Sequence, residues 1–555
     1  MIRAPMRRKK RPIPKPDPIQ PTAWTENIPL QLAALVSIVF VAYWNSLDGG
    51  FHFDDQGIFL DPDIMSPGFG WKILRLMQTR PLTFLSFHWN YLAGGHAPLG
   101  YHFVNVALHA GNSALVMLIA RFQMRGPMAW LAGAIFALHP LQTQAVNYVF
   151  ERATLLAAFF ALLSLLFFMQ EKHWWCIAAF GMSLLAKEET IALPVFLLLY
   201  DIVRRPRSIR WSRYAVMFGL AALSALRLFY VLHTIPEAGL GFGTKGISAI
   251  SYALTQGRVI WTYLRLFLFP VGLNLDHEVV LSRGLLSPPT TLPAVLLLVV
   301  LIGGLAWLTG RRSAFALWAL GFFILLAPSS SVIPVADLMF EHRCYFPLSC
   351  LIIAAALLLA RFNWPFRTPT LVLLLAALLA GTMARNGVWH DETSLWTDVI
   401  EKSPGKARGY FQLGQTYASR DPARSRRLYD RGLEVEPESP IGHTNLGVML
   451  LSQGDVEGAL IHLRKALILG GDKPVVWNNI GAAQLRQGDV DDGIRSFRRA
   501  LETDPCRFDA RWNLTHTLVS TGQADQALLA ADVPQNCHLL PEQIEKLERE
   551  RRSLH

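Results

Sequence analysis

The sequence predicts an all-α protein in two bodies, a polytopic membrane domain of about eleven spans and a C-terminal solenoid of helical repeats. Three observations carry this reading. Of 555 residues, 52% are hydrophobic and only 17% charged, against about 25% charged in a typical soluble domain. The long apolar runs are confined to residues 28–385. From 402 to 535 the chain becomes polar, and a pattern recurs in it at a spacing of 34 residues.

Residues 1–27 read as a basic, Pro-rich, disordered tail on the cytoplasmic side, with Arg3, Arg7, Arg8, Lys9, Lys10, Arg11 and Lys15 in its first fifteen positions. Spans are expected at about 28–47, 100–120, 128–140, 153–170, 174–188, 190–203, 213–233, 291–309, 314–328, 347–361 and 368–385. The first is too long for a signal-peptide core and lacks a small-residue cleavage site, so it is read as retained. Alternation from a cytoplasmic start puts basic residues in every inner loop: Arg121 and Arg125, Lys172, Arg204 to Arg213, Arg311 and Arg312, Arg361 and Arg367. The net charge of +11 thus records membrane orientation rather than affinity for nucleic acid. The outer loops collect Asp54-Asp55, His139 to Arg152, Lys187-Glu188-Glu189, Asp276-His277-Glu278 and Glu341-His342-Arg343. Residues 252–270 carry Arg258 and Arg265. Counted as a span, they would turn Arg311 and Arg312 outward, so they are read as an interfacial or re-entrant helix on the outer side.

Residues 386–401 form a connector, with Trp389 and Trp396 suited to a membrane-interface belt. The repeats follow. Asn445-Leu446-Gly447 recurs as Asn479-Ile480-Gly481 and as Asn513-Leu514, and Leu413-Gly414 precedes the set by 33 residues. Gly454, Gly488 and Gly522 recur in phase, as do Ala466-Leu467 and Ala500-Leu501. This is the tetratricopeptide period, about four repeats long, in which small residues let paired helices pack closely. Such arrays bind peptides or proteins in a groove; bracing the membrane domain is the alternative use. Residues 536–555 are expected to be a helical tail. Cys506 and Cys537 share the soluble domain; outside the cytoplasm they can pair, and two separate thiols is the other reading. No CxxC or zinc spacing occurs.

The residues suited to chemistry lie in the outer loops. Asp54 and Asp55 close to lipid are costly charges, and a carboxylate there can act as a general base. Binding loop amides or capping a helix is the competing role. Pro140 breaks its span and leaves a polar loop from His139 to Glu151-Arg152. Arg152 can grip a phosphate bidentately or pair with Glu151. Lys187, with Glu188, can serve as an interface anchor. His342 and Arg343, beside Glu341, can bind an anionic head group or snorkel at a helix end. No P-loop, dinucleotide-binding glycine pattern or serine-hydrolase elbow is present, which argues against nucleotide-driven chemistry. Arg227 fits none of these groups.

Taken in order, Phe53-Asp54-Asp55, Arg80-Pro81-Leu82-Thr83, Gly100-Tyr101-His102-Phe103-Val104-Asn105, Leu108-His109, His139-Pro140, Arg152, Ala186-Lys187-Glu188, Glu341-His342-Arg343 and Tyr345-Phe346-Pro347, followed by Trp389 to Trp396 and the repeats, resemble the transmembrane and tetratricopeptide-repeat O-mannosyltransferases, glycosyltransferases of the GT-C class. The Glu341-His342-Arg343 form resembles the bacterial branch. The resemblance implies a GT-C-like domain over 28–385, a polyprenyl-phosphate sugar donor and transfer to Ser/Thr hydroxyls of an exported protein, with the repeats recruiting the acceptor. It places the enzyme in a bacterial inner membrane with the repeats in the periplasm. It makes an acidic residue of the first outer loop the base, Asp54 in preference to Asp55. Arg152, Lys187, His342 and Arg343 then become donor-phosphate ligands, supported by His102, His139, Glu151, Glu188 and Glu341. No metal-ligand set is assigned, although a divalent metal is compatible with the chemistry. Competing readings are a glycosyltransferase acting on lipid or glycan, a non-enzymatic envelope scaffold and, less favoured, a transporter. A transporter would carry ionisable groups at mid-membrane rather than at one edge.

Overall fold

The computed structural model describes residues 27–59, 64, 80–234, 247–535, 537 and 539–552. The basic tail therefore lies outside the described residues, apart from Asn27. Every regular element described is helical, and one isolated bridge joins Gly284 and Ser287.

The membrane part is a bundle around a single apolar core. Helix Ile28–Ala42 starts where the Asn27 side chain accepts from the Leu30 amide (3.0 Å), with Pro29 in the first turn. It packs on helices Pro98–Ala120 and Gly126–Leu138 through small residues. At Gly133 a Cβ would lie 2.9 Å from both Leu35 and Met117, so the close crossing requires glycine there. Helices Arg152–Met169, His173–Ala186, Leu193–Arg204, Ala314–Leu326 and Tyr345–Arg361 complete the core. Helices Thr291–Gly310 and Arg367–Val388 stand at the periphery and expose Leu296, Val300, Val372 and Leu373, as helices facing hydrocarbon do. Among the described residues six helices are long and apolar enough to cross a bilayer, and four apolar helices of 10–17 residues are shorter. This is a membrane protein.

The structure adds one helix to the expected segments. Residues Pro81–Gly94 form a helix between the expected spans at 28–47 and 100–120, its apolar pattern interrupted by His88 and Asn90. The arginine-bearing segment is one continuous helix, Ala249–Leu268, packed along Thr291–Gly310 with Gly257 against Val295.

The C-terminal part stacks four helix pairs: Ala407–Tyr417 with Pro422–Val435, Pro440–Ser452 with Val456–Gly470, Pro474–Gln487 with Val490–Thr503, and Phe508–Ser520 with Ala524–Ala531. The recurring glycines explain the pairing. Gly414 faces the Tyr429 ring, Gly447 faces Leu463 and Gly481 faces Phe497, each too close for a Cβ. Gly454, Gly488 and Gly522 follow the first helix of three pairs at φ +85°, +94° and +74°, which only glycine adopts without strain. Cys506 and Cys537 are disulfide-bonded across the last pair. A further helix, Pro541–Arg552, covers the end of the stack.

Candidate functional site

Four segments that end or interrupt apolar helices meet at one end of the bundle. After Leu138 the chain turns at His139, whose Nδ1 accepts from the Leu141 amide (3.2 Å), and runs through short turns to Glu151. Almost all of this polar stretch is buried. Buried polar backbone must find partners, and here other loops supply them.

Asp55 is one such partner. Its carboxylate accepts from the amides of Phe150 (2.6 Å), His52 (2.9 Å) and Val149 (3.4 Å). It is fully buried, and burial pushes it up to about 7 despite these donors. Asp55 thus clasps the first loop to the 148–152 loop, the amide-binding role weighed against catalysis for the pair. His52 lies between Asp55 and the connector. Its ring bonds the Trp389 carbonyl (2.7 Å) and Glu392 (3.3 Å). Burial opposes its protonation, but Glu392 and Asp55 outweigh burial and raise it.

Asp54 is different. Its side chain reaches solvent, while its amide donates to the Tyr148 hydroxyl (3.3 Å). Partial burial raises its carboxyl above the ordinary value, opposed by the Tyr148 hydroxyl and the Arg408 guanidinium. The Tyr148 phenol is raised by burial and then by Asp54, so it stays protonated beside the carboxylate. Tyr148 is held between Phe53 and Trp389.

Behind the Asp54 loop lies a closed ionic network. Lys187 Nζ contacts Glu151 (2.9 Å), the Thr154 hydroxyl (2.7 Å) and Glu189 (3.3 Å). The other Glu151 oxygen faces His342 Nε2 at 3.4 Å. Arg80 pairs with Glu188 (3.1 Å). The Gln144 side-chain oxygen accepts from the His342 amide (2.8 Å), and the imidazole stacks on Phe340. His342 Nδ1 and Arg80 Nε are buried without a partner. Arg80 Nε is the donor that an incoming anion would find open; with His342 Nε2 facing the Glu151 carboxylate, Nδ1 of the neutral ring is an acceptor.

The remaining predicted residues lie around this network. Arg343 points to the carbonyl of Asp337 (2.7 Å) and to Tyr252. Glu341 receives the Asn274 amide (2.6 Å) and His277 (2.8 Å), and so ties loop 272–282 to the site. His102 bonds the Gly50 carbonyl (3.2 Å) and His139 bonds the Phe267 carbonyl (2.9 Å). Arg152 has a job other than the predicted grip on phosphate. Its guanidinium donates to Asn105 (2.9 Å), the Tyr101 carbonyl (3.0 Å) and the Ser86 carbonyl (3.2 Å), and lies over the Phe87 ring. It is fully buried and fastens helix Pro81–Gly94 to helix Pro98–Ala120. The described residues bring no three His, Cys, Asp or Glu side chains together as a metal site.

Sequence reasoning missed Tyr148, Thr154, Asp337 and Arg408. The first two differ in no pattern from core residues. Arg408 lies inside a repeat, where the period draws attention to packing positions.

Comparison with known proteins gives the chain its relatives. The tetratricopeptide-repeat family matches residues 416–474 and 479–533. The chain is similar to the protein O-mannosyl-transferase F38B6.6 of Caenorhabditis elegans, 26% identical over 69% of this chain and 59% of the relative. It is also similar to the protein O-mannosyl-transferase Tmtc1 of Drosophila melanogaster, 37% identical over 31% of this chain and 23% of the relative. The expected resemblance to protein O-mannosyl-transferases with repeats is thereby borne out. The chain spans little more than half the length of the relatives it matches most widely. Among solved structures, MamA aligns with 29% of this chain and 86% of its own, at 15% identity and a TM-score of 0.23.

Proposed function

We propose that this chain is a membrane glycosyltransferase that moves a sugar from a polyprenyl-phosphate donor to Ser/Thr hydroxyls of an exported protein. One observation carries the reading: a solvent-reaching carboxylate, Asp54, is braced by Tyr148 at the edge of an ionic network whose open donor, Arg80 Nε, is cationic. The names of the relatives support mannose as the sugar. The basic inner loops and the Cys506–Cys537 disulfide support an outer-face site with the repeats outside the cytoplasm, in a bacterium the periplasm.

In the proposed reaction the lipid phosphate lies against His342, Lys187 and Arg80, with Arg343 beside them. The acceptor hydroxyl approaches from the solvent side of Asp54. Asp54 takes the hydroxyl proton as the oxygen attacks the anomeric carbon. The new C–O bond forms as the bond to the phosphate oxygen breaks, and the polyprenyl phosphate leaves with the electron pair. No nucleotide takes part. The buried network has a fixed geometry before the donor arrives, which is how such sites stabilise developing negative charge.

Mass spectrometry of exported proteins tests the proposal. Cells with the wild-type gene should carry hexose on Ser/Thr sites that are bare in cells lacking it. Asp54→Asn should leave the sites bare while the protein accumulates in the membrane. Full occupancy in Asp54→Asn would remove Asp54 from the base role. Sugar lost from envelope lipids instead of proteins would reassign the acceptor.

A further inference from the structure

The repeat array does not hang from a loose tether. Trp389, Leu395, Trp396 and Val399 of the connector join Tyr148 and Leu413 in one apolar cluster, with Phe53 and Phe340 packed against it. A seam of polar contacts continues outward. Ser403 bonds Asn274 (2.8 Å) and the Glu278 amide (3.1 Å), Lys402 bonds the Leu273 carbonyl (2.8 Å), and Lys406 pairs with Asp276. The first repeat thereby packs against the loops around Asp54.

Arg408 lies in the first turn of the first repeat helix, on the side that meets those loops. Its guanidinium bonds Asp337 (2.8 Å), faces Asp276 (3.6 Å) and lies 5.6 Å over the ring of Phe53, the residue before Asp54. Its side chain remains about one-third exposed (35%), so it borders open space. Burial would lower its affinity for a proton, but Asp276 and Asp337 outweigh burial, and the group is charged.

We infer that Arg408 is a positioning residue of the transfer site, supplied by the repeat array, which holds the Asp276 and Asp337 loops and sets the electrostatic field at Asp54. The inference rests on the reading of Asp54 as base. The other charged or titratable groups around Asp54 are Asp55 and His52 on its own loop, Tyr148 and Glu151 on the next, Asp337 on the loop before Glu341, Asp276 across the seam and Glu392 of the connector. Tyr148 is neutral, and His52 is committed to Glu392 and Asp55. Among the described residues Arg408 is therefore the cation that acts on Asp54, and removing it leaves the Glu151 and Asp337 carboxylates to repel the ionised base. Docking of the repeats and activation of the base are then one event.

The test uses the full chain in native membranes, polyprenyl-phosphate mannose as donor and a Ser/Thr-rich peptide as acceptor, with initial rates followed against pH. Arg408→Gln keeps hydrogen-bonding groups for Asp337 and removes the charge. Its acid limb should move to higher pH by on the order of one unit, and Arg408→Lys should restore the wild-type limb. Loss of rate at every pH with an unmoved limb would reduce Arg408 to a structural strut and overturn the inference. An unchanged rate and limb would overturn it as well. Asp54→Asn in the same assay separates the premises. Retained activity there defeats the base assignment itself, whereas an inactive Asp54→Asn beside an unmoved Arg408→Gln limb defeats only the role of Arg408.

Discussion

The ionic network and the repeat array solve the same packing problem in opposite ways. In the array each helix meets its neighbours in the stack, and the contacts are small residues opposite large ones: Gly447 on Leu463, Gly481 on Phe497. In the network the partners come from far apart. Glu151 meets Lys187 and His342, and Arg80 meets Glu188. Errors in the array are local and graded, because each interface adds a separate increment. In the network every charge depends on another, so loss of one strands the next in a dry interior.

The strongest way to break this comparison is Lys187→Met. It leaves Glu151 buried and Glu189 half-buried with their main cation gone. Removing one partner of a buried ion pair costs about 3–5 kcal/mol. The expected result is a collapse of monodisperse protein in size-exclusion chromatography after detergent extraction. Glu151→Gln with Lys187→Met should recover part of it, because the stranded charge goes too. A single variant as stable as wild type would show that the network is not closed.

That dependence also explains what was legible in the sequence. The array showed through its period: Leu-Gly at 413 and 446, Ile-Gly at 480, and glycines at 454, 488 and 522, are where the structure needs small or left-handed residues. The all-helical class followed from apolar runs, which need no knowledge of partners. The site was legible only as separate polar clusters at helix ends. Their convergence on one end of the bundle followed from charge alternation, but their pairings did not. Asp54 and Asp55 are identical neighbours in the chain, and only the fold reveals that one clasps three amides while the other reaches solvent. Arg152 carried the right chemistry for phosphate, yet Asn105 and two backbone carbonyls occupy it. Helix Pro81–Gly94 escaped because its buried His88 answers to the Ile64 carbonyl, a partner that no local pattern encodes.

A middle-sized effect sharpens the array side. In Gly481→Val the new Cβ would lie 2.6 Å from the Phe497 ring and 3.1 Å from the Gly493 carbonyl. Overpacking of this kind costs about 1–3 kcal/mol. Limited proteolysis at rising temperature should show cleavage within residues 474–503 at a lower onset, while the membrane bundle stays intact. Equal destabilisation of the bundle would mean that strain travels along the solenoid, contrary to the nearest-neighbour picture.

The smallest effect belongs to Asp455→Ala. The Asp455 carboxylate accepts from the Gly458 amide (2.9 Å) and caps helix Val456–Gly470. Loss of such a cap costs about 1 kcal/mol. Hydrogen exchange should quicken in the first turn of that helix and nowhere near Asp54, and transfer activity should hold. If activity fell with the cap, the second repeat would be coupled to the site as tightly as the first. The boundary between docked repeat and recruiting arm would then lie further along the array than the seam at Asp276 and Ser403 places it.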